Sequence, residues 1–170
     1  LSGQGGGTID IMGGAKCGKE ERLLIHFEDH ARTGKPLIVF AALVPQQKRI
    51  LELAKSCGIK AAIMNGSTSA KERGEIDQAF RDGKINCIIA SPAVMSVGLN
   101  LQFCGTQEVE HVIFASLDFL DTTFLQAYRR AMRGKRLTPL RITVLLYEES
   151  LHTRITWIIY QKSVDANKVD

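Results

Sequence analysis

Leu37-Ile38-Val39-Phe40 is a run of four apolar residues, and five positions later Pro45 opens a segment carrying Ile50, Leu51, Leu53 and Ala54 that Gly58 closes. The run has the length and character of a strand buried on both faces. The segment after it has a helix's start signal, apolar stripe and stop signal. The same pair recurs downstream. Ala61-Ala62-Ile63-Met64 ends at Asn65-Gly66, and Ser69 with Glu72 forms a capping box for a helix bearing Ile76, Ala79 and Phe80 that stops near Asp82-Gly83. Further strands are expected over 85–90, 111–115 and 142–147, and a helix over 122–132. A last helix, capped by Ser150, bears Leu151, Ile155, Ile158 and Ile159. Upstream, 19–32 predicts a helix with Leu23, Leu24 and Phe27 on one face and Gly34 just past its end. Five apolar strands alternating with helices predict an α/β fold of three layers, a mainly parallel sheet with helices on both faces. Such sheets bind ligands beyond the carboxyl ends of their strands, here 41–45, 65–68, 91–100, 116–121 and 148–150.

The chain has 170 residues, 45% hydrophobic and 24% charged, which suits one ordinary globular domain. Those proportions exclude a disordered chain, a collagen-like repeat and a disulfide-stapled mini-protein. No apolar stretch reaches the roughly 18 residues of a membrane span, so no membrane partner is expected. Residues 1–15 are glycine-rich and read as a linker, an edge segment or a cloning remnant. The domain is expected over 16–164, with a tail over 165–170. Residue 1 is Leu and no secretory signal is visible, which reads as a fragment of a longer protein. Cys17, Cys57, Cys87 and Cys104 match no zinc-ligand spacing and read as reduced structural thiols. No histidine has a partner at a useful spacing. His26 and His30 are four apart with no third ligand in view, so no metal site is expected. Trp157 reads as a core or domain-contact residue.

Net charge is +4, yet 126–141 alone holds Arg129, Arg130, Arg133, Lys135, Arg136 and Arg141 with no acid, so the rest of the chain is net acidic. A positive field focused in one segment suits phosphate; a solvated basic helix face accounts for it as well. Within the segment, Gln126-x3-Arg130-x2-Arg133 sets two guanidiniums on one face of a helix, a fork for a phosphoryl group. By contrast, Gly13-x4-Gly18-Lys19 has the glycine and lysine spacing of a P-loop, but Glu20 stands where a hydroxyl is needed for magnesium. A helix start is the better account of it.

Three segments in order, Asn65-Gly66-Ser67-Thr68 through Arg73, Ile76 and Phe80, then Gly98-Leu99-Asn100-Leu101, then Gln126 to Arg133, resemble motifs of one family. Over 16–162 the chain resembles the C-terminal RecA-like lobe of superfamily 2 helicases, and within them the Swi/Snf-type DNA-dependent ATPases. Asp118, eight residues before Gln126, matches a common family aspartate. Several positions depart from the pattern: Pro92 for a threonine, Met95-Ser96 for paired glycines, Phe119-Leu120-Asp121 for Trp-Asn-Pro, and Lys135-Arg136 for Gly-Gln. They point to a divergent member, of phage or bacterial origin.

The resemblance implies a RecA-like lobe that completes an ATP site whose P-loop, acidic pair and Mg2+ belong to an N-terminal RecA-like lobe. It implies Arg130 and Arg133 as arginine fingers to the γ-phosphate. Gln126, Gly98, Asn100 and Asp118 fall in the cleft, and Ser91, Asn65, Ser67 and Thr68 at the nucleic-acid backbone, with double-stranded DNA the expected partner. Local capping is an equal account of Ser67 and Thr68. The implied setting is the cytoplasm of a bacterium or phage-infected host, or the nucleus of a eukaryote. A second reading is a stand-alone α/β module that binds nucleic acid or an acidic partner without any motor cycle.

Overall fold

The computed structural model describes residues 7–12, 18–92, 94, 101–116 and 136–146, with the backbone alone for 7–12. The helices expected over 122–132 and after Ser150 lie outside these residues. The described elements are, in order, β1 (Gly7–Met12), α1 (Lys19–Thr33), β2 (Leu37–Phe40), α2 (Val44–Ser56), β3 (Ala61–Met64), α3 (Ala70–Arg81), β4 (Cys87–Ala90), β5 (Phe103–Cys104), β6 (Gln107–Glu108), β7 (His111–Phe114) and β8 (Leu140–Leu145).

Six of the strands form one sheet in the order β1-β8-β7-β2-β4-β3, every pair parallel. Of the inner strands, β2, β4 and β7 are buried at all four positions, as apolar strands covered on both sides must be, and β8 at all but Arg141. One side is closed by Leu23 and Phe27 of α1 and Ile50, Leu53 and Ala54 of α2, which pack on Leu37, Val39, Ile89 and Ile113. The other side is closed by Phe80 of α3 with Leu101, Cys104 and Val109, which pack on Ile38, Phe40, Ile88, Val112 and Phe114. The three-layer α/β lobe expected from the alternation is the fold observed.

The helix signals act where the sequence placed them. Gly34, at φ 68°, ends α1 and donates its N–H to His30 O at 2.8 Å. Ser69 and Glu72 cap α3 reciprocally: Ser69 Oγ accepts from Glu72 N at 3.2 Å, and Glu72 Oε2 accepts from Ser69 N at 2.8 Å. Such a cap contributes about 1 kcal/mol.

Four features differ from expectation. Gly7–Met12 is a sixth strand, at the sheet edge beside β8, so of the readings offered for this stretch the edge segment describes 7–12. The third apolar run forms a strand only from Cys87, because Lys84 and Ile85 turn back to donate to Ala79 O at the end of α3. The fifth begins at Leu140, two residues early, in register with β7. The small antiparallel hairpin β5–β6 was not anticipated. Its Gly105, at φ 57°, docks on α3 by donating to Arg81 O at 2.9 Å. Strands of two residues lie below what alternation of apolar and polar residues can reveal.

Among the described residues no helix is long and apolar enough to cross a membrane. Cys57, Cys87 and Cys104 are free thiols, and burial pushes Cys87 up to about 12.

Candidate functional site

With all six strands of the main sheet parallel, every carboxyl end in it falls on one edge. The connections leaving β2 and β4 run in opposite directions, to β3 and to β7. This is the switch arrangement that opens a crevice between strand ends. The chain leaving each strand is stitched to its neighbour across that edge. Ala41 N donates to Ala90 O at 3.0 Å, Ala115 N to Phe40 O at 2.8 Å, and Ser91 N to Met64 O at 3.2 Å. Ala42 N donates to Ser116 Oγ at 2.8 Å. Asn65, Ser91, Ala41 and Ser116 therefore follow one another along a single rim.

Asn65 organises the turn after β3. Its Oδ1 accepts from Ser67 N at 3.0 Å and from Ser67 Oγ at 2.6 Å, and Thr68 Oγ1 lies 3.4 Å away. Asn65 N in turn donates to Thr68 Oγ1 at 3.0 Å. The arrangement is an Asx turn, in which a short side chain imitates the backbone. Asn65 is buried, and its Nδ2 donates to Gln47 Oε1 at 3.0 Å, while Gln47 Nε2 donates to Ala41 O at 2.7 Å. Arg73 Nε reaches back from α3 to Thr68 O at 2.8 Å. Local capping is thus one use of Ser67 and Thr68, and Asn65 faces the scaffold while Gly66 stands exposed at the turn's tip.

Gln47 is the residue that sequence reading missed. It shares a stripe with Ile50 and Ala54 on α2 and is fully buried. A lone amide in an apolar stripe is the signal that could have found it, since a buried polar group requires partners. Gln47→Leu strands the Asn65 amide and the Ala41 carbonyl together. The expected loss is about 1–3 kcal/mol, read as a lower urea midpoint.

Beside the turn lies a groove of about 460 Å³ whose lining includes Val44, Lys48, Ile63 and Ile76, with Glu72 and Glu75. Asn65, Ser67 and Thr68 of the turn line the same groove, and two carboxylates against one ammonium make its remaining walls poorly suited to a phosphodiester. A second cavity, about 430 Å³, opens at the start of α1 between Lys19, Gln46 and the Glu20–Arg49 ion pair. Lys19 Nζ donates to Ala115 O at 3.2 Å, so the lysine of the P-loop-like spacing is turned to the carboxyl end of β7. Burial lowers its pKa.

Of the predicted site residues, the structure brings Asn65, Ser67, Thr68 and Ser91 together on the rim. Gly98, Asn100, Asp118, Gln126, Arg130 and Arg133 lie outside the described residues. Two members of the basic segment are described, and both serve the fold. Arg136 is buried against Glu108, and Arg141 NH2 lies 3.3 Å from His26 Nδ1. Of the histidines read as partnerless, three meet, His111 joining His26 and His30 from β7, while His152 lies outside the described residues. Among the described residues no group of three or more side chains is set to hold a metal ion.

Residues 18–135 match the family model of the helicase conserved C-terminal domain. Among solved structures, the C-terminal part of the Fun30 ATPase domain superposes at a TM-score of 0.72 with 24% identity, over 85% of this chain and 46% of that one. The Pyrococcus furiosus Hef helicase domain superposes at 0.64 with 24% identity, over 82% of this chain and 28% of that one. Among curated proteins, SecA 2 translocase subunits of Mycobacterium sp. strains KMS and JLS are each 25% identical over 99 residues, 58% of this chain. The matched stretch spans 12% of those relatives' length. The family match runs unbroken through the turn at 65–68, the segment 91–102 and the arginine segment, and the chain belongs to the helicase conserved C-terminal domain family.

Proposed function

We propose that the chain is the C-terminal motor lobe of a nucleic-acid-dependent ATPase of the Swi/Snf type, which uses ATP hydrolysis to move along or remodel double-stranded DNA. The observation that carries this reading is the family match across 18–135, which contains all three motif segments in order. At family level it brings helicase, ATP-binding and hydrolase chemistry, with ATP and Mg2+, a nucleic-acid partner and an N-terminal lobe.

In this reading Arg130 and Arg133 meet the γ-phosphate from the carboxyl edge. Arginine suits the task because it stays charged and offers a rigid fork of donors to paired oxygens. A finger of this kind contributes about 10³- to 10⁵-fold in rate, or roughly 4 to 7 kcal/mol of barrier. Mg2+ is held mainly by the N-terminal lobe in this reading, as the resemblance implies. Gln126 and Asp118 brace the arginine segment in the cleft, Gly98 lets the backbone approach closely, and Asn100 hydrogen-bonds across it. The turn at 65–68 and Ser91 form the rim that meets the phosphodiester backbone. Recognition there is independent of base sequence and weakens with salt.

The test is a comparison of the two-lobed protein with the chain alone. Double-stranded DNA is expected to stimulate ATP turnover of the two-lobed protein, and the chain alone is expected to hydrolyse no ATP. Salt-sensitive DNA binding by a protein that shows no DNA-stimulated turnover would instead favour the stand-alone binding module.

A further inference from the structure

We propose that Glu108 is a positioning residue that joins the exits of the two cleft-bearing segments and so sets where the arginines lie; the catalytic part of this rests on the motor-lobe reading. Glu108 ends β6, just before β7, at the amino end of the sheet and opposite the rim. Its Oε2 accepts from Leu137 N at 3.1 Å, Thr138 N at 2.8 Å and Thr138 Oγ1 at 2.5 Å. Its Oε1 accepts from Gln102 Nε2 at 3.0 Å and lies 3.9 Å from Arg136 Nε. Arg136 also donates from Nε to Thr138 O at 3.1 Å and from NH2 to Val109 O. The side chains of Glu108 and Arg136 are 6% and 7% exposed.

The two partner sets are placed tellingly along the chain. Gln102 follows Asn100 by two residues, and Arg136 follows Arg133 by three. Three residues of chain reach at most about 11 Å between Cα atoms, so fixing Arg136 restricts where Arg133 can be. One carboxylate thus ties the end of the 91–102 segment to the end of the arginine segment. Burial raises the Glu108 pKa, but hydrogen bonds from Thr138 and Gln102 and the charge of Arg136 outweigh it and bring it down to about 2. The carboxylate is therefore charged throughout the working pH range. A buried ion pair held by this many donors is specific in geometry even where its net stabilisation is small.

Glu108→Gln separates positioning from folding. The new amide oxygen still accepts from residues 137 and 138, and its NH2 group meets Gln102 once that amide turns over. What the substitution removes is the charge of the Glu108–Arg136 ion pair. In the two-lobed protein the variant is expected to melt within a few degrees of the parent and to keep KM for ATP within about two-fold. Its kcat is expected to fall on the order of 10- to 100-fold, the effect of a small misplacement of a catalytic group. Amide exchange over 126–138 is expected to quicken in Glu108→Gln and to stay unchanged in Arg133→Ala. A clamp that merely supported the fold would lower the melting temperature and leave turnover per folded molecule unaltered. Should Glu108→Gln fail to fold, Thr138→Val removes the hydroxyl bond alone, and about a three-fold loss of kcat is expected. Parental kcat in these variants, beside an inactive Arg133→Ala, overturns the role of Glu108 and leaves the motor reading intact. An Arg133→Ala variant that still turns over defeats the motor reading and, with it, the catalytic part of this inference.

Discussion

Arg133→Ala in the two-lobed protein is expected to lower ATP turnover by about 10³- to 10⁵-fold while DNA affinity stays within a few-fold. The size follows from the chemistry of phosphoryl transfer. Charge spreads over the oxygens of the transferring group, and a guanidinium already in place stabilises it with no reorganisation at the moment of reaction. Arg130, three residues earlier in the motif, is expected to show a loss of the same kind, less complete if it pairs with an acid across the cleft. Arg133→Lys is a sharper probe than alanine. It keeps the charge but lacks the planar fork, so a turnover that stays low argues for two-pronged contact rather than charge alone. The DNA measurement separates the arginine from the backbone-binding rim, and an unchanged melting temperature separates catalysis from folding. If Arg133→Ala keeps most of its turnover, the assignment of the finger is wrong.

The second large effect concerns acid. Lys35 O can only accept, so His30 Nδ1 donates to it at 3.0 Å, and neutral His30 accepts at Nε2 from His111 Nδ1 at 2.8 Å. His111 Nε2 then accepts from Thr143 Oγ1 at 2.8 Å. With both rings neutral, as their burial favours, this chain of bonds puts the proton of each on Nδ1. Added protons would sit in a buried layer beside His26 and Arg141. Burial lowers the His30 pKa. Burial, then the charges of Arg141, His30 and His26, lower His111 to about 2.

The unfolded chain takes up protons at about pH 6.5, well before the folded one does. Stability is therefore full above that pH and is lost as pH falls through it towards the folded values. The expected slope is about 1.4 kcal/mol per pH unit for each proton, or roughly 2 kcal/mol for His111 by pH 5, with His30 acting in the same direction. Urea midpoints taken between about pH 7.5 and pH 5 should fall accordingly, and His111→Gln, which cannot titrate, should flatten the curve. A midpoint constant over that range in the parent protein removes the neutral-imidazole account.

These two expectations differ in origin. The arginine spacing stands in the sequence, three residues apart in one segment. The histidine cluster does not, since His30 and His111 are 81 positions apart and meet only because β7 lies beside the end of α1. Glu108 and Gln47 belong with the histidines. A glutamate between Gln107 and Val109 carries no local mark of being buried, and the apolar stripe that marks Gln47 as buried does not name its partners Asn65 and Ala41. Even the exposed-looking basic stretch divides: Arg136 is held inside while its neighbour Leu137 is 87% exposed.

Local chemistry was enough to determine the described helices, the five apolar strands, the caps at Ser69 and Gly34, and the edge on which a site must lie. Each depends on interactions within a few residues or on a short apolar run that has to be covered on both sides. Only the tertiary structure decided that Gly7–Met12 pairs with β8, that Gln47 braces the Asn65 turn, that three imidazoles share one buried layer, and that a single carboxylate joins residue 102 to residues 136–138. Those are pairings of polar groups across long separations. They form because burial removes water from donors and acceptors that must then find one another, a requirement no periodicity in the chain records.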